Sequence, residues 1–211
     1  MRITTLLENT TELPALACQH GLSQYVEANG RRLLFDAGPS EASSENAVKL
    51  GIDLTAVDTC ILSHGHHDHS DGLPAFLERN RISSVYLKPE ARGEQVGLKK
   101  DGPRFIGVTP VLFEQYAERL RFVEGETDLG DGIVILTRIT RDPDYTQPQD
   151  DLQVKTEQGY EPDQFLHELI LTVHERGGVH ILTGCSHSGI VGMIETVMTR
   201  FPGEPILSVT G

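Results

Sequence analysis

Apolar positions in this chain fall in short runs separated by glycine, proline and asparagine, the grain of a strand-rich fold with few long helices. Arg2 to Leu7 predicts a first strand. Ser23 to Ala28 and Arg31 to Phe35 predict two more, joined by Asn29-Gly30, a dipeptide suited to a tight hairpin turn. Ser43/Ser44 to Leu50 predicts a short helix, with serine caps at its start and Gly51 at its end. Thr59 to Leu62 predicts a buried strand, Asp71 to Leu77 a helix start, and Ser84 to Leu87 another strand. From Pro110 to Leu120, Val111, Leu112, Tyr116 and Leu120 recur at helical spacing. Gly132 to Ile139 predicts a buried strand. Asp142 to Gln164 is polar, carries Pro143, Pro148 and Pro162, and predicts a long loop.

Strands at Leu166 to Val173 and Val179 to Leu182 then flank Gly177-Gly178. A helix follows from Ile190 to Phe201, with Ile190, Met193, Ile194 and Met198 facing inward, and Ile206 to Val209 closes with a strand. Hairpins first and strand–helix alternation later suggest two mixed sheets with helices outside. No internal repeat is visible.

Composition narrows the class. The 211 residues suffice for one sizeable domain, and 38% hydrophobic with 23% charged residues predict a folded soluble protein rather than disorder. A formal net charge of −13 disfavours the broad phosphate-tracking surface of a nucleic-acid binder. Three cysteines, Cys18, Cys60 and Cys185, are too few and odd in number for a disulfide framework. Met1-Arg2-Ile3-Thr4 opens straight into a strand pattern with no apolar signal segment, and no apolar stretch is long enough to span a bilayer, so the expected location is the cytoplasm, away from membranes. Oligomeric state is not legible.

The chemistry is concentrated in Ser63-His64-Gly65-His66-His67-Asp68-His69-Ser70. Four imidazoles and a carboxylate in eight residues form an H-x-H-x-D-H pattern between a core strand and a helix. Imidazole and carboxylate are ligands for zinc and other transition metals, and a strand–turn–helix junction places them at the carboxyl edge of a sheet. The bland alternative is a solvated His-rich loop.

This motif resembles the signature of the metallo-β-lactamase superfamily. Leu33-Leu34-Phe35-Asp36-Ala37-Gly38 is similar to that family's early strand ending in Asp-x-Gly, and Val179 to His187 to its later strand returning to the metals. The resemblance implies an αββα sandwich of two mixed sheets over residues 1–211 as one domain, apparently cut short at its C-terminus. It implies one or two divalent ions, zinc first and iron or manganese as alternatives. His64 and His66 would hold one metal; Asp68 and His69 would help hold a second, and Asp68 would also be catalytic. His67 fills a variable position.

Asp36 reads either as a carboxylate orienting a metal-bound histidine or as a turn former. Cys185 stands where the family has a metal-bridging aspartate, and reads as a thiolate ligand or as a small buried cysteine. His187 and His167 compete as the remaining ligand of the first metal, with Glu168 as support for a neighbouring histidine. His20, His174 and His180 have no motif context. Together with the H-x-H-x-D-H run, Gly184-Cys185-Ser186-His187-Ser188-Gly189-Ile190 looks like the dihydropterin-(ribofuranosyl)aminobenzene-phosphate-synthase-like branch. In the wider family a further metal histidine follows the last strand, just where this chain stops.

The function implied is a metal-dependent hydrolase or related transferase that activates a water against a small, anionic ester or phosphate-containing molecule. Backbone N–H groups of the helix opened by Gly189 could receive the substrate anion. Two other readings are an iron-dependent redox enzyme on the same scaffold and a non-catalytic metal-binding sensor.

Overall fold

The computed structural model describes residues 1–141 and 151–211. Its first sheet begins as a meander of β1 (Arg2–Leu7), β2 (Ser23–Ala28) and β3 (Arg31–Phe35). Asn29 at φ 50° and Gly30 at φ 81° make the tight turn between β2 and β3. The strands β4 (Thr59–Ile61), β5 (Ser84–Leu87) and β8 (Leu120–Phe122) then add in parallel, giving the order β1-β2-β3-β4-β5-β8. The connections carry α1 (Ala42–Lys49), α2 (His67–Ser70), α3 (Leu73–Arg79) and α4 (Pro110–Gln115).

A second sheet runs β15-β14-β13-β10-β9. It comprises β9 (Thr127–Asp128), β10 (Ile133–Leu136), β13 (Ile170–Glu175), β14 (Gly178–Leu182) and β15 (Ile206–Thr210). The crossover helix α5 (Ile190–Arg200) makes β14 and β15 parallel.

Side-chain parity explains the layering. Along β10, Ile133 and Ile135 join Leu33, Phe35 and Ile61 between the two sheets, whereas Val134 and Leu136 turn outward to Met193 and Val197 of α5. On the first sheet Leu34 and Cys60 turn the other way, onto Leu73, Phe76 and Leu112 from α3 and α4. Two mixed sheets packed face to face between helices form the expected αββα sandwich. Burying one such side chain, Phe35 for example, stabilises it by about 1.5–3 kcal/mol.

A third sheet was not expected. β6 (Glu94–Lys99) and β7 (Gly102–Phe105) pair with β11 (Leu152–Thr156) and β12 (Gly159–Pro162) in the order β12-β11-β6-β7. The polar loop expected from Asp142 to Gln164 is therefore partly a hairpin; residues 142–150 lie outside the described residues. Both β7 and β12 are almost wholly exposed, so they carry no apolar alternation to betray them.

Other boundaries shift for local reasons. The helix expected to reach Leu120 ends at Gln115, because Arg119 donates to the carbonyls of Asn80 and Ser83 and draws the chain into β8 beside β5. Ser43 and Ser44 do not cap α1: Glu41 holds the N-cap position without a side-chain hydrogen bond, Ser40 Oγ accepts the Ala42 N–H, and Ser43 Oγ donates to the Ala37 carbonyl. In α5, Ile190 and Met198 are 38% and 56% exposed; the buried face is Gly192, Met193, Thr196 and Val197. β13 starts at Ile170 rather than Leu166, since Phe165 adopts φ 49° and Glu168 N donates to the Phe165 carbonyl in a turn.

Candidate metal centre

β3 and β4 run parallel and deliver Asp36 and Ser63 to the same edge. Asp36 turns sharply, at φ 58°, and its carboxylate is fully buried. One oxygen accepts the Ser63 N–H at 2.7 Å; the other accepts Ser63 Oγ–H at 2.7 Å and faces His69 Nδ1 at 2.6 Å. Ser63 Oγ lies 2.9 Å from His64 Nδ1. Asp36 thus fixes the start of the histidine run and the ring of its last member, and is an orienting carboxylate rather than only a turn former.

Five imidazoles crowd this edge. The His64 ring is 4.7 Å from His66, 4.3 Å from His69 and 5.2 Å from His187, centroid to centroid. His66 lies 4.9 Å from His187 and 5.2 Å from His167. His64 Nε2 and His66 Nε2 are buried without any hydrogen-bond partner among the described residues. Burial, with positive neighbours around them, holds the His64 pKa well below its ordinary value, that of His66 down to about 2 and that of His187 down to about 4. These rings are neutral, with lone pairs available. Burial opposes the charged form of His69 too, but Asp36 and Cys185 outweigh it and raise its pKa.

The second sheet supplies the opposite wall. After β14 the chain passes through Gly184, whose absent side chain makes the approach possible: a Cβ there would stand 2.3 Å from Ser63 Oγ and 2.8 Å from His64 Nδ1. Cys185 follows, exposed, with Sγ 3.2 Å from His69 Nε2. Asp68 Oδ2 is 3.6 Å from the same nitrogen. Donor atoms of His64, Cys185 and His187 fall within 4.8 Å of one another, as do those of Asp68, His69 and Cys185, and those of His66, Asp163 and His167. An open cavity of about 600 Å³ reaches Asp68, His69 and Cys185 and is walled also by Glu8, Asn9 and His20.

All eight residues singled out in the sequence therefore meet at one sheet edge, but His167 is placed differently from the rest. Its Nδ1 accepts the Gly65 N–H at 3.0 Å and its Nε2 faces Asp163 Oδ2 at 3.1 Å. His67 points away, half-exposed beside Asp71. His174 and His180 lie elsewhere, with Glu204 and Ser208. His20 does belong here: its Nε2 is 3.4 Å from Asp68 Oδ2. Asp163 and Phe165, which stacks on the His187 ring at 4.5 Å, were also missed. The four-residue spacing of Asp163 and His167 was the available signal, hidden inside a stretch read as loop.

The donor set suits a divalent ion: neutral imidazoles, a carboxylate and a thiol gather at one edge, and the Nε2 atoms of His64 and His66 have no hydrogen-bond partner among the described residues. An αββα sandwich with such donors at one edge is the architecture of a metal-dependent enzyme superfamily. The chain belongs to the metallo-beta-lactamase superfamily, whose sequence model matches residues 18–200. It is 29% identical over 195 residues to an uncharacterized protein of Methanocaldococcus jannaschii, covering 92% of this chain and 72% of that one. It is 31% identical over 193 residues to the 7,8-dihydropterin-6-methyl-4-(beta-D-ribofuranosyl)-aminobenzene-5'-phosphate synthase of the same organism, spanning 84% of this chain and 64% of that protein. The crystal structure of Tm1679, a metal-dependent hydrolase of the beta-lactamase superfamily, superposes with a TM-score of 0.79 at 28% identity over 99% of this chain and 75% of that one. Among the described residues no helix is long and apolar enough to cross a membrane.

Proposed function

We propose that the chain is a metal-dependent hydrolase, or a related transferase, acting on a small anionic ester or phosphate-containing molecule. The observation that carries this reading is the crowding of donors at one edge: His64 Nε2 and His66 Nε2 are buried with no hydrogen-bond partner among the described residues, and donor atoms of His64, Cys185 and His187 fall within 4.8 Å of one another. His64, His66 and His187 would hold one ion; Asp68, His69 and Cys185 would hold a second. Imidazole with thiolate favours zinc over the harder cations. Such ions supply an acidified water near neutral pH and a Lewis acid for a carbonyl or phosphoryl oxygen.

The chain's own residues supply the rest. With an ion bound, Asp36 would keep the one remaining proton of His69 on Nδ1 and leave Nε2, which faces Cys185, to the ion. Asp68, which lines the cavity, would accept a proton or orient a water. Glu8, Asn9 and His20 form a polar rim suited to a small solute rather than to a polymer. The chain's net charge of −13 argues against nucleic acid, while bound cations make the pocket itself receptive to anions. The likeness to a hydrolase and to a synthase whose name includes a 5'-phosphate supports the same class.

The test is metal analysis of the purified protein, followed by assays on phosphodiester, carboxylic ester and lactam model substrates. Expected is zinc at one or two ions per chain and turnover of a phosphodiester or ester. Protein that takes up no divalent ion, or loaded protein inert on every class, defeats the proposal.

A further inference from the structure

The segment from Asp163 to Leu169 touches both loops of the candidate centre, the one that carries His64 and His66 and the one that carries His187. It leaves the exposed β12, enters the core, and meets both ligand-bearing loops within a few residues. Leu169 N donates to the Ser63 carbonyl at 2.9 Å, just before His64. His167 Nδ1 accepts the N–H of Gly65, between His64 and His66. Glu168 takes the His187 N–H on one carboxylate oxygen at 2.7 Å and the Ser188 N–H on the other at 2.8 Å. Phe165 stacks on the His187 ring with 7° between the two planes. Asp163 holds the segment itself, accepting the Phe165 N–H at 2.7 Å and facing His167 Nε2.

We propose that this segment is a brace that sets the His64–His66 loop against the Cys185–Ser188 loop, and that His167 and Glu168 are positioning residues rather than metal ligands. The inference rests on the metal reading above and assigns the contested ligand of its first site to His187.

The tautomer decides the case for His167. An imidazole that accepts a backbone N–H at Nδ1 carries its proton on Nε2, and that proton is directed at Asp163. Neither nitrogen is left for an ion, although Asp163, His167 and His66 stand close enough to suggest one. His66 Nε2, by contrast, has no protein partner among the described residues. Burial strengthens the argument: His167 and Glu168 are each 2% exposed, and the Asp163 side chain is 6% exposed. A buried carboxylate closing on two successive N–H groups fixes a loop firmly, because charge-assisted bonds out of water are strong and their loss leaves a buried charge unpaired.

The test uses the full chain loaded with zinc, and with cobalt(II) as a spectroscopic stand-in. His167→Asn places an amide oxygen near the position of Nδ1 and so restores the acceptor for Gly65 without an Nε2. It is expected to bind as many ions per chain as the parent, with similar affinity in a chelator competition and an unchanged cobalt absorption band. His167→Ala lacks the acceptor. It is expected to keep the ion count at saturating zinc but to weaken binding about 10–100-fold, as loss of a group supporting a metal ligand does. Glu168→Gln, which turns an N–H toward one of the loop's own N–H groups, is expected to show the same loss. Circular dichroism confirms folding; His167→Asn and Glu168→Gln conserve size and polarity, so one or both remain readable.

Loss of an ion equivalent in His167→Asn, or a cobalt band of changed intensity, would show His167 to be a ligand and overturn the inference. So would Glu168→Gln with parental affinity. A parent protein that binds neither zinc nor cobalt removes the metal reading itself, a failure visible before any variant is made.

Discussion

Replacing Asp36 by asparagine isolates a single charge at the root of the centre. Asparagine tolerates the φ of 58° found there, so the backbone need not move. Its amide oxygen can still accept the Ser63 N–H. Its amide nitrogen must then occupy the position facing His69 Nδ1, where the parent carboxylate sits 2.6 Å away. Two donors cannot face each other, so His69 moves its proton to Nε2. That nitrogen lies 3.2 Å from Cys185 Sγ and is the one offered to an ion. The substitution therefore removes a ligand without touching it.

Losing one charge-assisted hydrogen bond of this kind costs about 1.5–3 kcal/mol, which in ion affinity is roughly 10–150-fold. The same energy, read as stability of a chain this size, lowers Tm by roughly 3–12 °C. Chelator competition with zinc measures the first quantity and thermal melting of the metal-free protein the second. An Asp36→Asn protein with parental zinc affinity would refute the tautomer argument, even if its melting temperature fell.

His64→Ala and His66→Ala should each lower the zinc content measured by elemental analysis and abolish any hydrolytic activity, because each removes a buried nitrogen that no described residue replaces. Gly184→Ala should destabilise the fold by about 1–3 kcal/mol, seen as a lower denaturant midpoint, since its methyl would press on Ser63 and His64. The metal-free protein should weaken as acidity rises. His66 and His187, depressed to about 2 and about 4, stay neutral when folded but bind protons when unfolded below about pH 6.5, so their contribution is present above that pH and lost below it. His64, depressed still further, behaves alike, so with about three protons taken up on unfolding the slope between pH 6 and 5 should be about 4 kcal/mol per pH unit by denaturant titration. His69, whose pKa is raised, has the opposite sign: its contribution is complete at low pH and disappears only as the pH climbs through the raised value. A slope of zero over that window would mean the rings are hydrated rather than enclosed.

The sandwich and most of the centre could be read from sequence because they rest on strong local signals. Asn29-Gly30 fixes a hairpin, and the parity of Leu33, Leu34 and Phe35 assigns faces. His64, His66, Asp68 and His69 share one turn, so their proximity is built into the spacing. The third sheet was hidden because β7 and β12 are exposed on both faces. The inward face of α5 holds at Met193 and Ile194 but not at Ile190 and Met198; Ile190 lines the open cavity and stays exposed despite its apolar character. His20, Asp163 and Phe165 reach the centre only through tertiary contacts, and no periodic pattern encodes those. The role of His167 depended on which atom each ring nitrogen meets, a matter of ångströms rather than of residue type.

The centre joins positions far apart in the chain. Gly65 bonds His167 across 102 residues, and His69 meets Cys185 across 116. Hairpins such as β2–β3 can form within microseconds, but contacts of this range await the closure of very long loops. Beyond the local run from His64 to His69, the ligand set is therefore complete only when folding is nearly finished, and a cation meets only part of its site at the rate-limiting barrier. Bound ions should then slow unfolding while leaving refolding almost unchanged, so that metal protects the protein by lengthening the lifetime of the native state rather than by guiding the chain toward it.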